Sequence, residues 1–355
     1  MNDQNSLERY LESFFNLSQR RKAFDQRRFQ TLELEIIETC NLRCFYCYPE
    51  SSPESRRRIS LEKAKEVVDG AVETGIRELV LLGGEPLLHP QWANIFGHAK
   101  SEGLRTVLYT NGSLIERNVE DIVNNVDWLR LHLDSINPDY FRKTQNPKTQ
   151  TEHIRILQGV EALLDSGFSG RNIELVIPLT KQSYRTLRET IEYAREKWGI
   201  EISTLVPVVD YGAAKVMGAE NKLSSEEYRE AFQIRADVEG RSWLLRLGTS
   251  EYPKEYQIST VMVTVYGDII PYPALPVICG NVYRDDLKEV LIRDYDILAF
   301  REVLSPDGKQ NILEEECGTC EYAQHCFGTR SMAYNNGKGL NHSDPTCWLV
   351  DQPAH

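Results

Sequence analysis

The sequence predicts an α/β fold, a partial (β/α)6 parallel barrel followed by a small α+β C-terminal unit. Three observations predict it. Six short apolar runs alternate with amphipathic stretches from Leu32 onward, the alternation stops after Val208, and a hairpin pattern with its own group of cysteines occupies the last part of the chain. Strands that alternate with helices pair in parallel, with helices over the outer face, and six units are too few for an eight-stranded closure.

Taken in order, Leu32, Leu34 and Ile36 alternate as a strand that runs into Cys40. Ser60 then caps a helix whose apolar face is Leu61, Ala64, Val67, Val68, Ala71 and Val72. A second strand, 79–82, ends at Gly83-Gly84. After it come a helix over 92–102, a strand over 106–109, a helix over 119–124 and a strand over 128–133. The series continues with a helix over 153–166, a strand over 173–179, a helix over 185–197, a strand over 202–208 and a last helix near 225–237. Residues 1–30 read as an N-terminal helical extension, 31–240 as the barrel and 241–355 as the second unit, where 260–264, the turn Tyr266-Gly267-Asp268 and Ile269-Ile270 form a hairpin. Functional groups collect at the C-terminal ends of parallel strands. Those ends carry Cys40, Gly83-Gly84-Glu85-Pro86, Thr110-Asn111-Gly112 and Asp134-Ser135.

With 355 residues and 41% apolar content the chain can bury a barrel-sized core and a smaller appendage. Its net charge of −12 disfavours nucleic acid or an anionic membrane as a partner. The basic run 20–28 is interleaved with Phe24 and Asp25 and reads as the solvated face of a helix. No apolar stretch is long enough to span a membrane and residues 1–10 are polar, so the expected location is cytoplasmic. In a reducing compartment the eight cysteines are metal ligands more readily than disulfides.

Cys40-Asn-Leu-Arg-Cys44-Phe-Tyr-Cys47 puts three thiols in one loop leaving a strand. Three thiolates can bind three irons of a cubane and leave the fourth iron open, whereas zinc would require a fourth ligand and no His lies between Thr39 and Ser60. Farther on, Cys317-x2-Cys320-x5-Cys326 and then Cys347 make a complete four-thiolate set, which ligand count alone leaves open between zinc and iron–sulfur.

With an aromatic before its last Cys, CNLRCFYC resembles the CxxxCxxC motif of radical S-adenosylmethionine (radical SAM) enzymes, and the resemblance extends over most of the chain. It implies that Cys40, Cys44 and Cys47 hold a [4Fe–4S] cluster whose open iron is chelated by S-adenosylmethionine. One electron from an external reductant such as flavodoxin or ferredoxin then yields a 5′-deoxyadenosyl radical that takes a hydrogen atom from the substrate. Gly83-Gly84-Glu85-Pro86 resembles the family's GGEP segment, where glycine lets carbonyls approach the cofactor's ammonium and Glu85 offers it a charged acceptor. Asn111 and Ser135 resemble positions that contact the cofactor's ribose and carboxylate, and Arg142 would pair with that carboxylate. A turn and a solvated surface Arg are the plainer accounts of these three.

Gly280-Asn-Val, the CxxCxxxxxC spacing and the last Cys resemble the SPASM/twitch extension of the same family. That resemblance implies an auxiliary [4Fe–4S] cluster on Cys317, Cys320, Cys326 and Cys347, hence two clusters in all. The further cysteines of an inner auxiliary cluster are replaced by Tyr272, Asp285 and Thr329 or Arg330, so that cluster is expected to be absent. Cys279 is a buried thiol, a hydrogen-atom donor to a product radical, or a ligand of unusual spacing. The expected function is hydrogen abstraction from a polar substrate, a small molecule or a peptide, leading to epimerisation with Cys279 as donor or to oxidation. Only thirty residues precede the first strand, which weakens a peptide-leader reading. The alternatives are a ribosomal-peptide maturase forming a cross-link, a methyl-transferring use of the same cofactor, and an iron–sulfur electron carrier or zinc-stabilised binding module. His89 reads as a helix-entry residue near the GGEP segment, and Asp210 and Tyr211 as a turn near the substrate.

Overall fold

Alternation in the first strand sets the layering of the barrel. The computed structural model describes residues 3–146, 151–250, 252–301, 313–323, 325–336 and 339–349. In β1 (Thr31–Ile37) Leu32, Leu34 and Ile36 join the core under the helix Leu61–Thr74, so Glu33 and Glu35 face the barrel interior. The strands β2 (Glu78–Gly83), β3 (Arg105–Thr110), β4 (Trp128–His132), β5 (Ile173–Leu179) and β6 (Ile202–Pro207) follow side by side, every pair parallel. The expected six-strand partial barrel is therefore present. Ser60 caps its first helix, accepting from the Lys63 N–H at 3.2 Å.

Three features depart from the expectation. A helix, Pro138–Gln145, follows β4; its eight residues are too few for a clear period, although Asn137 caps it and Pro138 opens it. The hairpin is not a separate layer, because β7 (Thr260–Val263) pairs in parallel with β1, and β8 (Asp268–Ile270) and β9 (Gly280–Asn281) continue one nine-stranded sheet. An edge at β1 would leave backbone groups unpaired, and Met262 of β7 packs inside with Val80, Leu82 and Val107. Arg20, expected on a solvated helix face, is 6% exposed. From the helix Leu17–Asp25 it reaches Thr31, Ser259 and Glu78, so the N-terminal extension plugs the barrel floor.

The interior above that plug is polar and paired. Arg130 donates to Glu174 at 3.1 Å and to the Tyr256 hydroxyl at 3.2 Å, and lies 4.0 Å from Glu33. Removing one partner of such a buried pair costs about 3–5 kcal/mol, because the other charge is left uncompensated.

Among the described residues no cation pairs with Glu35. Burial pushes its carboxyl up to about 7, despite bonds from the Tyr48 hydroxyl and the Val265 N–H. The folded chain thus holds a proton that the unfolded chain releases near the ordinary carboxyl value, and stability falls as pH rises from about 4.5 to about 7. Glu35→Gln is expected to flatten that dependence by up to ~3 kcal/mol, measured by urea unfolding of the metal-free protein at pH 5 and pH 8.

Candidate active site

The turn after β2 is built against the strand that delivers the cysteines. Gly84 N–H donates to the Ile37 carbonyl at 2.6 Å and Glu85 N–H to the Thr39 carbonyl at 2.9 Å. A Cβ on Gly83, which has φ +145°, would lie 2.3 Å from the Ile37 oxygen, and one on Gly84 would lie 2.3 Å from the Thr39 oxygen. These glycines answer first to the chain's own carbonyls. Glu85 is fully buried and already used: its carboxylate accepts from Leu87 N–H, the Thr110 hydroxyl at 2.8 Å and Asn111 N–H at 2.8 Å. Burial nonetheless pushes its carboxyl up to about 7. Glu85, expected as an acceptor for an ammonium, braces the end of β2 to the end of β3.

The cysteine loop is held from three sides. Cys40 N–H donates to the Ser52 carbonyl, the Arg43 and Phe45 N–H groups donate to the carbonyls of Gln145 and Thr144, and Ala213 N–H donates to the Cys47 carbonyl. Cys40, Cys44 and Cys47 line one wall of a cavity of about 270 Å³ at the C-terminal ends of the strands, with Gly83, Gly84 and Asn111 beside them. Asn111 Nδ2 lies 3.7 Å from Cys40 Sγ and donates to Asn41 at 3.0 Å. Burial pushes the Cys40 thiol up to about 12 and the Cys47 thiol up to about 11, and raises Cys44 as well. Thiolates in this setting need cations beside them, as bound iron provides.

Three other expected site residues fall elsewhere. Ser135 is buried with its hydroxyl against Thr186 at 2.7 Å and under the Asn137 N–H, so it shapes the turn after β4 and is not among the cavity's lining residues. Arg142 is exposed on the helix Pro138–Gln145 and pairs with Asp139 at 3.2 Å. Cys279 is held beside β8 by its N–H on the Ile269 carbonyl, packs against the main core and does not line the cavity. His89 bonds the Ile59 carbonyl at 2.9 Å, a structural role, and Asp210 pairs with Lys222. Tyr211 lines a second cavity of about 240 Å³, which shares Tyr48, Pro49 and Ser51 with the first.

Two lining residues escaped the sequence reading. The Tyr46 hydroxyl donates to Asp134 at 2.6 Å and lies 2.9 Å from His132 Nε2, and both rings face the cavity. His132 shares the inward face of β4 with Trp128 and Arg130, a period of two that was available as a signal.

The second cysteine group lies behind the far wall. Gly248 is so near Cys347 that its Cβ would lie 2.8 Å from the sulfur, and Cys326 Sγ is 3.2 Å from the Leu247 carbonyl, while the adjoining Thr249 and Ser250 line the cavity. Cys317, Cys320 and Cys347 each raise the Cys326 thiol through their charge, after burial, so the four converge. Among the described residues no three cysteine sulfurs lie within 4.8 Å of one another.

Residues 34–201 match the model of the radical SAM superfamily. The chain carries a radical SAM domain. It is 24% identical over 345 residues to the AdoMet-dependent heme synthase of Methanosarcina barkeri, covering 88% of this chain and 94% of that one. It is 26% identical to the GTP 3′,8-cyclase of Marinobacter nauticus, covering 81% and 94%. The fold is similar to that of Streptococcus suis SuiB bound to S-adenosylmethionine, with a TM-score of 0.67 at 17% identity over 90% of this chain and 77% of that one. The domain implies S-adenosylmethionine and a [4Fe–4S] cluster, and three thiols on one cavity wall are a donor set that fits them. Among the described residues no helix is long and apolar enough to cross a membrane.

Gly84→Ala is expected to push the β2 turn off the strand before Cys40, at a cost of about 1–3 kcal/mol, and to lower the iron bound at the first site. Thermal unfolding and iron content after anaerobic reconstitution measure both.

Proposed function

We propose that this radical SAM enzyme cleaves S-adenosylmethionine reductively and oxidises a neutral, hydrogen-bonding small molecule held in the barrel cavity. The observation that carries this reading is the convergence of Cys40, Cys44 and Cys47 on one wall of the cavity beside the Gly83-Gly84 turn. When bound, a cluster with S-adenosylmethionine at those cysteines supplies the hydrogen-abstracting radical, and a second cluster on Cys317, Cys320, Cys326 and Cys347 supplies an electron acceptor.

The chain's own residues bind and orient. Glu85 fixes Thr110 and the Asn111 backbone, which sets the Asn111 side chain at the cavity beside Cys40, where Asn41 and Ser113 hold its amide in place. Asp134 and His132 fix the Tyr46 ring as a wall. At the far end the hydroxyls of Tyr109, Tyr272, Thr329 and Ser331 line the cavity with no side-chain hydrogen bond among the described residues. Arg130 is matched by Glu33 and Glu174, so the charges there are already satisfied and the open groups suit a neutral substrate. Tyr272, and one of Thr329 and Arg330, stand at positions where the resemblance places inner-cluster cysteines, and the cavity exposure of Tyr272 and Thr329 leaves that volume to substrate. Oxidation is favoured over epimerisation because Cys279 does not line the cavity, whereas Thr249 and Ser250 line it and the adjoining Leu247 and Gly248 touch the second cysteine group.

Anaerobic reconstitution is expected to load about eight irons per chain, and dithionite with S-adenosylmethionine to yield 5′-deoxyadenosine. Cys44→Ala should abolish that product, while Cys326→Ala should lose about half of the iron and keep it. Wild-type protein that makes no 5′-deoxyadenosine overturns the proposal, and about four irons with one zinc reassigns the C-terminal site. For Cys279→Ala the iron content should be unchanged; a loss of about four irons would make Cys279 a ligand.

A further inference from the structure

Three consecutive arginines follow the cysteine loop. Arg56, Arg57 and Arg58 are all exposed, in a chain whose net charge is −12. None of them forms an ion pair among the described residues. Arg56 folds back on its own loop, donating to the Pro53 and Ser55 carbonyls, and Arg57 lies 4.4 Å over the Tyr266 ring. The nearby carboxylates are engaged elsewhere, Glu54 with Arg43 and Glu38 with the Tyr266 hydroxyl at 2.7 Å.

The run is tied to the first cysteine site through backbone. Its segment leaves Cys47 and returns along the end of β1: Cys40 N–H donates to Ser52, the Thr39 hydroxyl to Ser55, Glu38 N–H to the Arg57 carbonyl and Ile59 N–H to Ile36. Arg58 itself bridges Ile37. Positive charge is therefore presented on the outer side of the strand and loop that hold Cys40.

We propose that Arg56, Arg57 and Arg58 are the docking surface for the electron donor, an acidic one-electron carrier protein of the flavodoxin or ferredoxin kind. This rests on the radical reading above, which requires one electron at the Cys40–Cys47 site. A chain this acidic repels an acidic carrier at long range, so productive encounter needs a local patch of opposite sign near the electron's destination. An exposed basic run bonded to the cysteine loop meets that need, and its guanidinium groups, which form no ion pair among the described residues, can pair with carboxylates on the partner.

The test measures the binding of a purified bacterial flavodoxin to the reconstituted full chain by titration calorimetry, at low and at high salt. Replacing the three arginines together by Glu should weaken binding about tenfold or more, replacing them by Lys should change it little, and wild-type affinity should fall as salt rises. Dithionite-driven formation of 5′-deoxyadenosine should be unchanged in both variants, while flavodoxin-driven formation falls with affinity in the Glu variant. Unchanged flavodoxin affinity in the Glu variant overturns the proposal. If that variant fails to load iron, Arg56→Gln and Arg58→Gln, which leave Arg57 on Tyr266, decide by the same titration. Failure of wild-type protein to cleave S-adenosylmethionine with dithionite counts against the radical reading, and the titration still reads the docking surface.

Discussion

Backbone contact between the end of β1 and the Gly83-Gly84 turn is the constraint on which the site depends. Carbonyls of Ile37, Glu38 and Thr39 occupy the space that side chains at 83 and 84 would need. That contact fixes where β1 releases the chain into Cys40, and it aims Glu85 inward. Glu85 then bonds Thr110 and Asn111, so the ends of β1, β2 and β3 form one rigid rim. A carboxyl raised by burial yet holding three donors is costly as an isolated feature and sensible as a brace.

Below the rim the barrel interior combines a layer of paired charge with the aliphatic cluster of Val80, Leu82, Val107 and Met262. Arg130, Glu33, Glu174, Glu78 and Arg20 form a paired layer, closed from beneath by the helix Leu17–Asp25. Pairs of this kind contribute little net stability against apolar filling but tolerate few alternatives, because any single loss strands a buried charge. Their effect at the cavity above them, whose lining is largely apolar, is that the charges of Arg130 and Glu33 face it already paired.

The two cysteine groups are far apart in sequence and share a wall. Segment 247–250 touches Cys326 and Cys347 on one side and lines the cavity on the other. This is possible because β7 attaches to β1 and draws the C-terminal unit over the mouth of the barrel, which a free-standing appendage would not do.

From the sequence alone came the strand order of the barrel, the helix faces and both cysteine sets, because periodicity and ligand spacing are local properties of the chain. Short elements such as the helix Pro138–Gln145 lacked the length to register, and a polar period such as Trp128, Arg130 and His132 does not look like a buried face until a barrel encloses it. Tertiary structure alone decided how side chains are spent: Glu85 on Thr110 and Asn111, Ser135 on Thr186, Arg142 on Asp139, Arg20 on the barrel floor. Which partner a polar group meets depends on contacts between residues distant in sequence, and no local pattern encodes that.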